Sequence, residues 1–162
     1  MEDWFSSNFS VLAVLGLGQF RGFVGWAVLA GAYFFVMMTR LILTFEARWL
    51  RWLLHGLVLT ACVSLGYSVL IPYLPEDIPG WARLHVALAS GASVLLMTAL
   101  LVVLLWLRYW PLLWVWVGVT AVCGLLFVTA GMVTTALEVF FTISAALLTR
   151  SIWLRRENGL IT

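Results

Sequence analysis

Residues 111–153 read PLLWVWVGVTAVCGLLFVTAGMVTTALEVFFTISAALLTRSIW. No charge falls within the first 27 of these residues. As one helix, the 43 residues would extend about 64 Å, roughly twice the thickness of a bilayer's hydrocarbon core. The stretch must therefore turn, around Thr129-Ala-Gly-Met-Val-Thr-Thr135, although nothing charged marks the break. Length alone thus predicts two spans, about 111–130 and 133–153.

The rest of the chain supports lipid as its solvent. Of 162 residues, 64% are hydrophobic, 15% aromatic and 10% charged, and the mean hydropathy is +1.09. Soluble domains are nearer about 45–50% apolar and about 25% charged. A soluble chain of this size buries only about two-thirds of its surface, too little to hide so many apolar side chains. Three more spans, at about 23–45, 49–71 and 81–107, are separated by EARW (46–49), PYLPEDIPGW (72–81) and RYWP (108–111). Proline starts helices and ends what precedes it. The expected fold is an all-α integral membrane bundle of five helices over a single domain, residues 1–162. No internal repeat of the transporter kind is evident.

Arginine sets the expected orientation. All nine basic residues are Arg. Numbering the sides alternately, one side collects Arg40, Arg48, Arg51, Arg108, Arg150, Arg155 and Arg156. The other collects only Arg21 and Arg83. The positive-inside rule then predicts an outer N-terminus and a cytoplasmic C-terminus in a plasma (inner) membrane. Glu2, Asp3, Glu76, Asp77 and Glu138 sort to the outer side or near it. Trp49, Trp52, Trp106, Trp110, Trp114 and Trp153 fall near cytoplasmic ends, where amphipathic rings prefer to sit.

The first residues, MEDWFSSNFS, carry acids where a secretory signal needs positive charge. They read as the retained start of the mature protein. The apolar core of residues 5–20 is too short to cross a bilayer. It is expected to be an outer interfacial helix, with a tilted extension of the first span and a snorkelling Arg21 as the alternative.

Ionisable groups inside spans are costly and draw functional attention. His55 and His85 enter from opposite ends of the core, separated by about 15–20 Å by helix rise, so they cannot share one haem iron or metal. His85 and Glu138 stand at matched depth on spans three and five. Arg83 lies close by on span three, and Arg21, Glu76 and Asp77 occupy the same outer layer. A His–carboxylate pair there can move a proton, bind a cation or hold a polar head group; it can also be a bond that locks two spans. The candidate ligand- or ion-binding residues are therefore His85, Glu138 and Arg83. No catalytic residue, cofactor or metal is expected: the sequence has no phosphate loop, GxSxG, HExxH or carboxylate box. Cys62 and Cys123 stand alone in apolar runs and read as small apolar residues.

Small residues at Ala27 and Gly31, at Gly56, and at Ala89-Ser-Gly-Ala-Ser93 suit close helix packing. They suggest a homo-oligomer or a hetero-complex in addition to contact with membrane lipids. Nothing supports nucleic-acid binding, because no soluble basic face exists.

Trp81-Ala-Arg-Leu-His85 after the loop PYLPEDIPG, the long apolar helix to Leu107-Arg108, and Thr135-Ala-Leu-Glu138-Val-Phe-Phe141 before Leu147-Leu-Thr-Arg150 together resemble the DRAM/Frag/Sfk-like polytopic membrane proteins and related bacterial integral membrane families of unknown function. Those place a His at the start of a middle helix and a Glu in the last, so the resemblance carries over to His85 and Glu138. It implies a role in lipid organisation or trafficking without established catalysis. The leading expectation is a non-enzymatic protein that binds lipid or a hydrophobic ligand, or serves as an accessory subunit. The alternatives are a small oligomeric transporter or channel using the outer His/Glu site, and an enzyme acting on lipid at the outer leaflet.

Overall fold

A computed structural model of the chain describes residues 17–71, 77–131 and 133–159. Among these residues there are five helices: α1 (Leu17–Ile42), α2 (Arg48–Leu70), α3 (Pro79–Trp106), α4 (Trp110–Ala130) and α5 (Thr135–Glu157). Each is long and apolar enough to cross a membrane. The protein is an all-α integral membrane bundle of five helices, and its spans lie within a few residues of those expected.

The largest difference is at the start of α1. Residues 17–20 are continuous with the first span, so no break separates them from residue 23. Residues 5–16 of the expected interfacial segment lie outside the described residues. Gly22 and Gly25 do not interrupt α1 because, in lipid, a broken helix leaves backbone groups without water to satisfy them.

The uncharged turn is where length placed it. Gly131 ends α4 in the left-handed region (φ 66°) and donates its N–H to the Phe127 carbonyl at 2.9 Å. Thr134 then caps α5, its hydroxyl accepting from the Leu137 N–H at 3.2 Å. Glycine past the end and threonine before the start are the ordinary stop and start chemistry of helices.

α2 pairs most extensively with α3, α1 packs on α2, and α5 closes the arrangement by touching both α1 and α4. α3 and α4, although joined by a tight turn, touch least among these pairs. Only 6% of the most apolar window of α4 is buried, against 39% for α3. α4 is thus an outer wall, not a core helix.

The two ends of the bundle differ. At the end rich in arginine, Met38, Leu41, Leu50, Leu54, Leu100, Val103, Leu104, Leu148 and Ile152 are almost completely buried in one cluster. Arg156 donates to the Thr44 carbonyl at 2.8 Å and lies 4.9 Å over the Phe45 ring. Arg40 sits 5.0 Å over Trp153, and Arg155 sits 5.0 Å over Tyr109. These contacts tie the α1–α2 and α3–α4 turns to α5 through cation–π attraction. The opposite end is hollow.

Candidate functional site

The hollow half begins with small side chains. Gly31 allows α1 and α2 to approach, and the Cys62 thiol reaches the Gly31 carbonyl at 3.9 Å. The expected packing role therefore holds there. Within the chain Gly56 meets no neighbour: it is exposed and has open space where a Cβ would lie. On α3, Ala89, Ser90 and Ser93 line space instead of packing against a neighbouring helix.

That space forms two cavities. The inner one, about 120 Å³, lies between α1, α2, α3 and α5, with walls including Phe23, Cys62, Ser68 and Thr142. The second, about 570 Å³, is a cleft between α3, α4 and α5. It extends from Leu101 and Trp116 to His85, Phe127 and Val133. Leu101 and His85 are 16 positions apart, so the cleft is about 24 Å long by helix rise. Its foot is held where the Trp116 indole N–H donates to the Met97 carbonyl at 3.0 Å.

His85 and Glu138 line both cavities, together with Ala89, Ser93 and Phe141. The two residues matched by depth in the sequence therefore share one wall. His85 is 3% exposed, and its Nδ1 is 2.9 Å from the Ile71 carbonyl at the C-cap of α2. A carbonyl only accepts, so Nδ1 carries the hydrogen, and in the neutral ring Nε2 is the accepting nitrogen. The bond also satisfies one of the last carbonyls of α2, which have no partner within the helix. Glu138 lies in the first turn of α5, where the positive end of the helix dipole favours a carboxylate.

Arg83 is not brought to the site. It is exposed and lines neither cavity, because two residues along a helix are about 200° apart around it. His55 is at the arginine-rich end, its Nδ1 donating to the Arg51 carbonyl of its own helix at 2.8 Å. Thr134 serves the turn by capping α5, whereas Thr129 donates to the Leu125 carbonyl of its own helix at 2.9 Å.

The other polar side chains of the cleft face their own helices. Ser90 donates to the Val86 carbonyl, Ser93 to Ala89 at 3.1 Å, Thr98 to Val94 at 2.8 Å and Thr120 to Trp116 at 2.8 Å. Such back-bonding consumes the hydroxyl hydrogen. Among the described residues, His85 and Glu138 are the ionisable side chains on the cleft wall besides the Cys123 thiol. Among the described residues, no three His, Cys, Asp or Glu side chains converge.

Residues of α4 complete the cleft, namely Trp116, Thr120, Cys123 and Gly124, and none was a candidate from sequence. α4 is apolar all round, so no periodicity distinguishes its cleft face. Comparison with protein-family models, characterised proteins and solved structures finds no match.

Proposed function

We propose that this integral membrane protein binds a lipid-like amphiphile in the α3–α4–α5 cleft. Its apolar body lies along Met97, Leu101 and Phe127, and its polar end meets His85 and Glu138. One observation carries this assignment: an elongated, mainly apolar cleft of about 570 Å³ whose ionisable wall is at one end. Ligand sites typically have a volume of about 300–1,000 Å³, apolar walls and a few placed polar groups. The packed arginine-rich half favours a binding site over a through-pore. Read by the positive-inside rule, the arginine sorting supports an orientation with that packed half at the cytoplasmic face and the His85–Glu138 wall towards the outer leaflet. The resemblance of residues 71–150 to DRAM/Frag/Sfk-like proteins agrees with a lipid-related role. No step of this function requires catalysis.

The test is native mass spectrometry from mild detergent. The wild-type protein is expected to retain one amphiphile per chain under activation that strips annular lipid. Gly124→Phe should lose it at an unchanged oligomeric state, because nothing lies within 4 Å of a Cβ at Gly124 and a ring there fills the cleft. A wild-type chain free of ligand under these conditions would falsify the proposal.

A further inference from the structure

The arginines of the packed end fall into two groups. Arg40, Arg155 and Arg156 lie over rings of the chain itself at 5.0, 5.0 and 4.9 Å, and Arg156 also donates to the Thr44 carbonyl. Arg48 and Arg51, in the first turn of α2, make no side-chain hydrogen bond, ion pair or ring contact among the described residues. Three positions apart on a helix, they are neighbours. The Arg51 Nε is covered by protein and still has no hydrogen-bond partner. Buried polar groups are nearly always hydrogen-bonded, so this donor points to an acceptor that the chain itself does not supply.

The same turn adds a second positive source. Ala47, at the N-cap, makes no side-chain capping bond, and no acid stands in the first turn. The first N–H groups of α2 are thus left for an outside acceptor, and the helix dipole places partial positive charge there. In the full sequence, seven arginines and two acids, Glu46 and Glu157, sort to this end.

Beyond the arginines the same face turns apolar. Trp52, Leu59 and Val63 are 70%, 55% and 47% exposed. By helical spacing they share a face with Arg48, opposite Leu50, Leu54 and Ala61, which α2 buries. Leu59 lies about 16 Å from Arg48 by helix rise. A cationic end, an amphipathic ring and an exposed apolar stripe follow one another as phosphate, glycerol and acyl chain do in a phospholipid. Guanidinium forks match phosphate oxygens in geometry.

We propose that this lipid-facing side of α2 holds an anionic phospholipid, its phosphate at Arg48, Arg51 and the start of the helix, and one acyl chain along Trp52, Leu59 and Val63. The site is separate from the α3–α4–α5 cleft, and neither needs the other. A zwitterionic lipid brings the same phosphate together with a cation that the arginines repel, so net charge selects the occupant.

The test is competition between phosphatidylglycerol and phosphatidylcholine of the same acyl chains, added in equal amounts to the full chain in mild detergent and read by native mass spectrometry. The wild-type protein should retain the glycerol lipid about tenfold over the choline lipid, each arginine near an anionic head being worth several-fold. Arg48→Gln with Arg51→Gln should bring the ratio near one, whereas Arg83→Gln at the opposite end should leave it. Glu46→Gln removes an acid from the turn before Arg48 and should raise the ratio about threefold. Equal retention by the wild type overturns the proposal and leaves the arginines to an acidic segment of a protein partner. A ratio unchanged in the double variant overturns it, and so does an equal fall with Arg83→Gln, the mark of net charge alone. Suppression by millimolar inorganic phosphate makes a free anion the ligand and overturns the lipid. The preference should survive Gly124→Phe; its loss there places the anionic lipid in the cleft and overturns the assignment to α2. Where the double variant does not fold, Glu46→Gln decides, and no rise overturns the proposal.

Discussion

At the scale of single residues, Arg108 holds an unusual backbone. It is the one non-glycine with positive φ (51°) among the described residues. Its N–H bonds to the Leu105 carbonyl at 3.2 Å, and the following Tyr109 N–H bonds to Leu104 at 3.2 Å. This is the bond pattern with which helices end on a left-handed residue, usually glycine. An L side chain there costs about 1–2 kcal/mol, partly offset because glycine gives the unfolded chain more freedom. Arg108→Gly is therefore expected to stabilise the protein by about 0.5–1 kcal/mol, read as a higher melting temperature in detergent. Arginine at this place agrees with the charge sorting of the helix ends. His85 shows the reverse relation between sequence and structure: its depth was legible from position, whereas its bond to Ile71 was not, because the partner is a helix end 14 residues away.

At the scale of elements, α4 decides the shape of the candidate site. It is anchored to α3 near its start by the Trp116–Met97 bond and joins α5 through the Gly131–Thr134 turn, and the cleft opens between the three helices. Bonds between membrane helices contribute about 0.6 kcal/mol on average and up to about 1.7. Trp116→Phe keeps an aromatic side chain, though a smaller one, and removes the donor. It should cost about 1 kcal/mol in thermal stability and speed the labelling of Cys123 by loosening the foot of the cleft. Unchanged labelling would show that the anchor does not set the cleft's width. The existence and ends of α4 were readable from Pro111 and from chain length, and the residues Gly131 and Thr134 offered the capping chemistry as well. Its facing was not readable, since every side of α4 is apolar and lipid and protein neighbours suit such side chains alike.

At the scale of the molecule, one half is packed and the other hollow. Cation–π contacts and the Arg156–Thr44 bond gather the turns at the packed end, which agrees with arginines that sort to one side. The proposed orientation predicts a labelling pattern. Asp77 and Asn158 are exposed at opposite ends of the bundle. In a chain with Cys62 and Cys123 changed to Ser, Asp77→Cys should react with an impermeant reagent applied to intact cells, and Asn158→Cys only after lysis. The opposite pattern would invert the assignment of outer and cytoplasmic faces.

Composition, length and the order of charges were enough, without coordinates, to determine the all-α class, the five spans and the pairing in depth of His85 with Glu138. Each follows from a one-dimensional rule: a helix rises about 1.5 Å per residue, the bilayer has a fixed thickness, and ions avoid its centre. Only the tertiary structure decided that His85 and Glu138 share a wall while Arg83 turns away, and that Ala89 and Ser93 line space instead of closing it. It alone also decided that α4 stands off α3 to make a cleft. These are matters of rotation about helix axes. In lipid, where apolar faces gain little by choosing protein over solvent, rotation is set by a few hydrogen bonds, by small residues and by turn geometry, which act only once the helices are together.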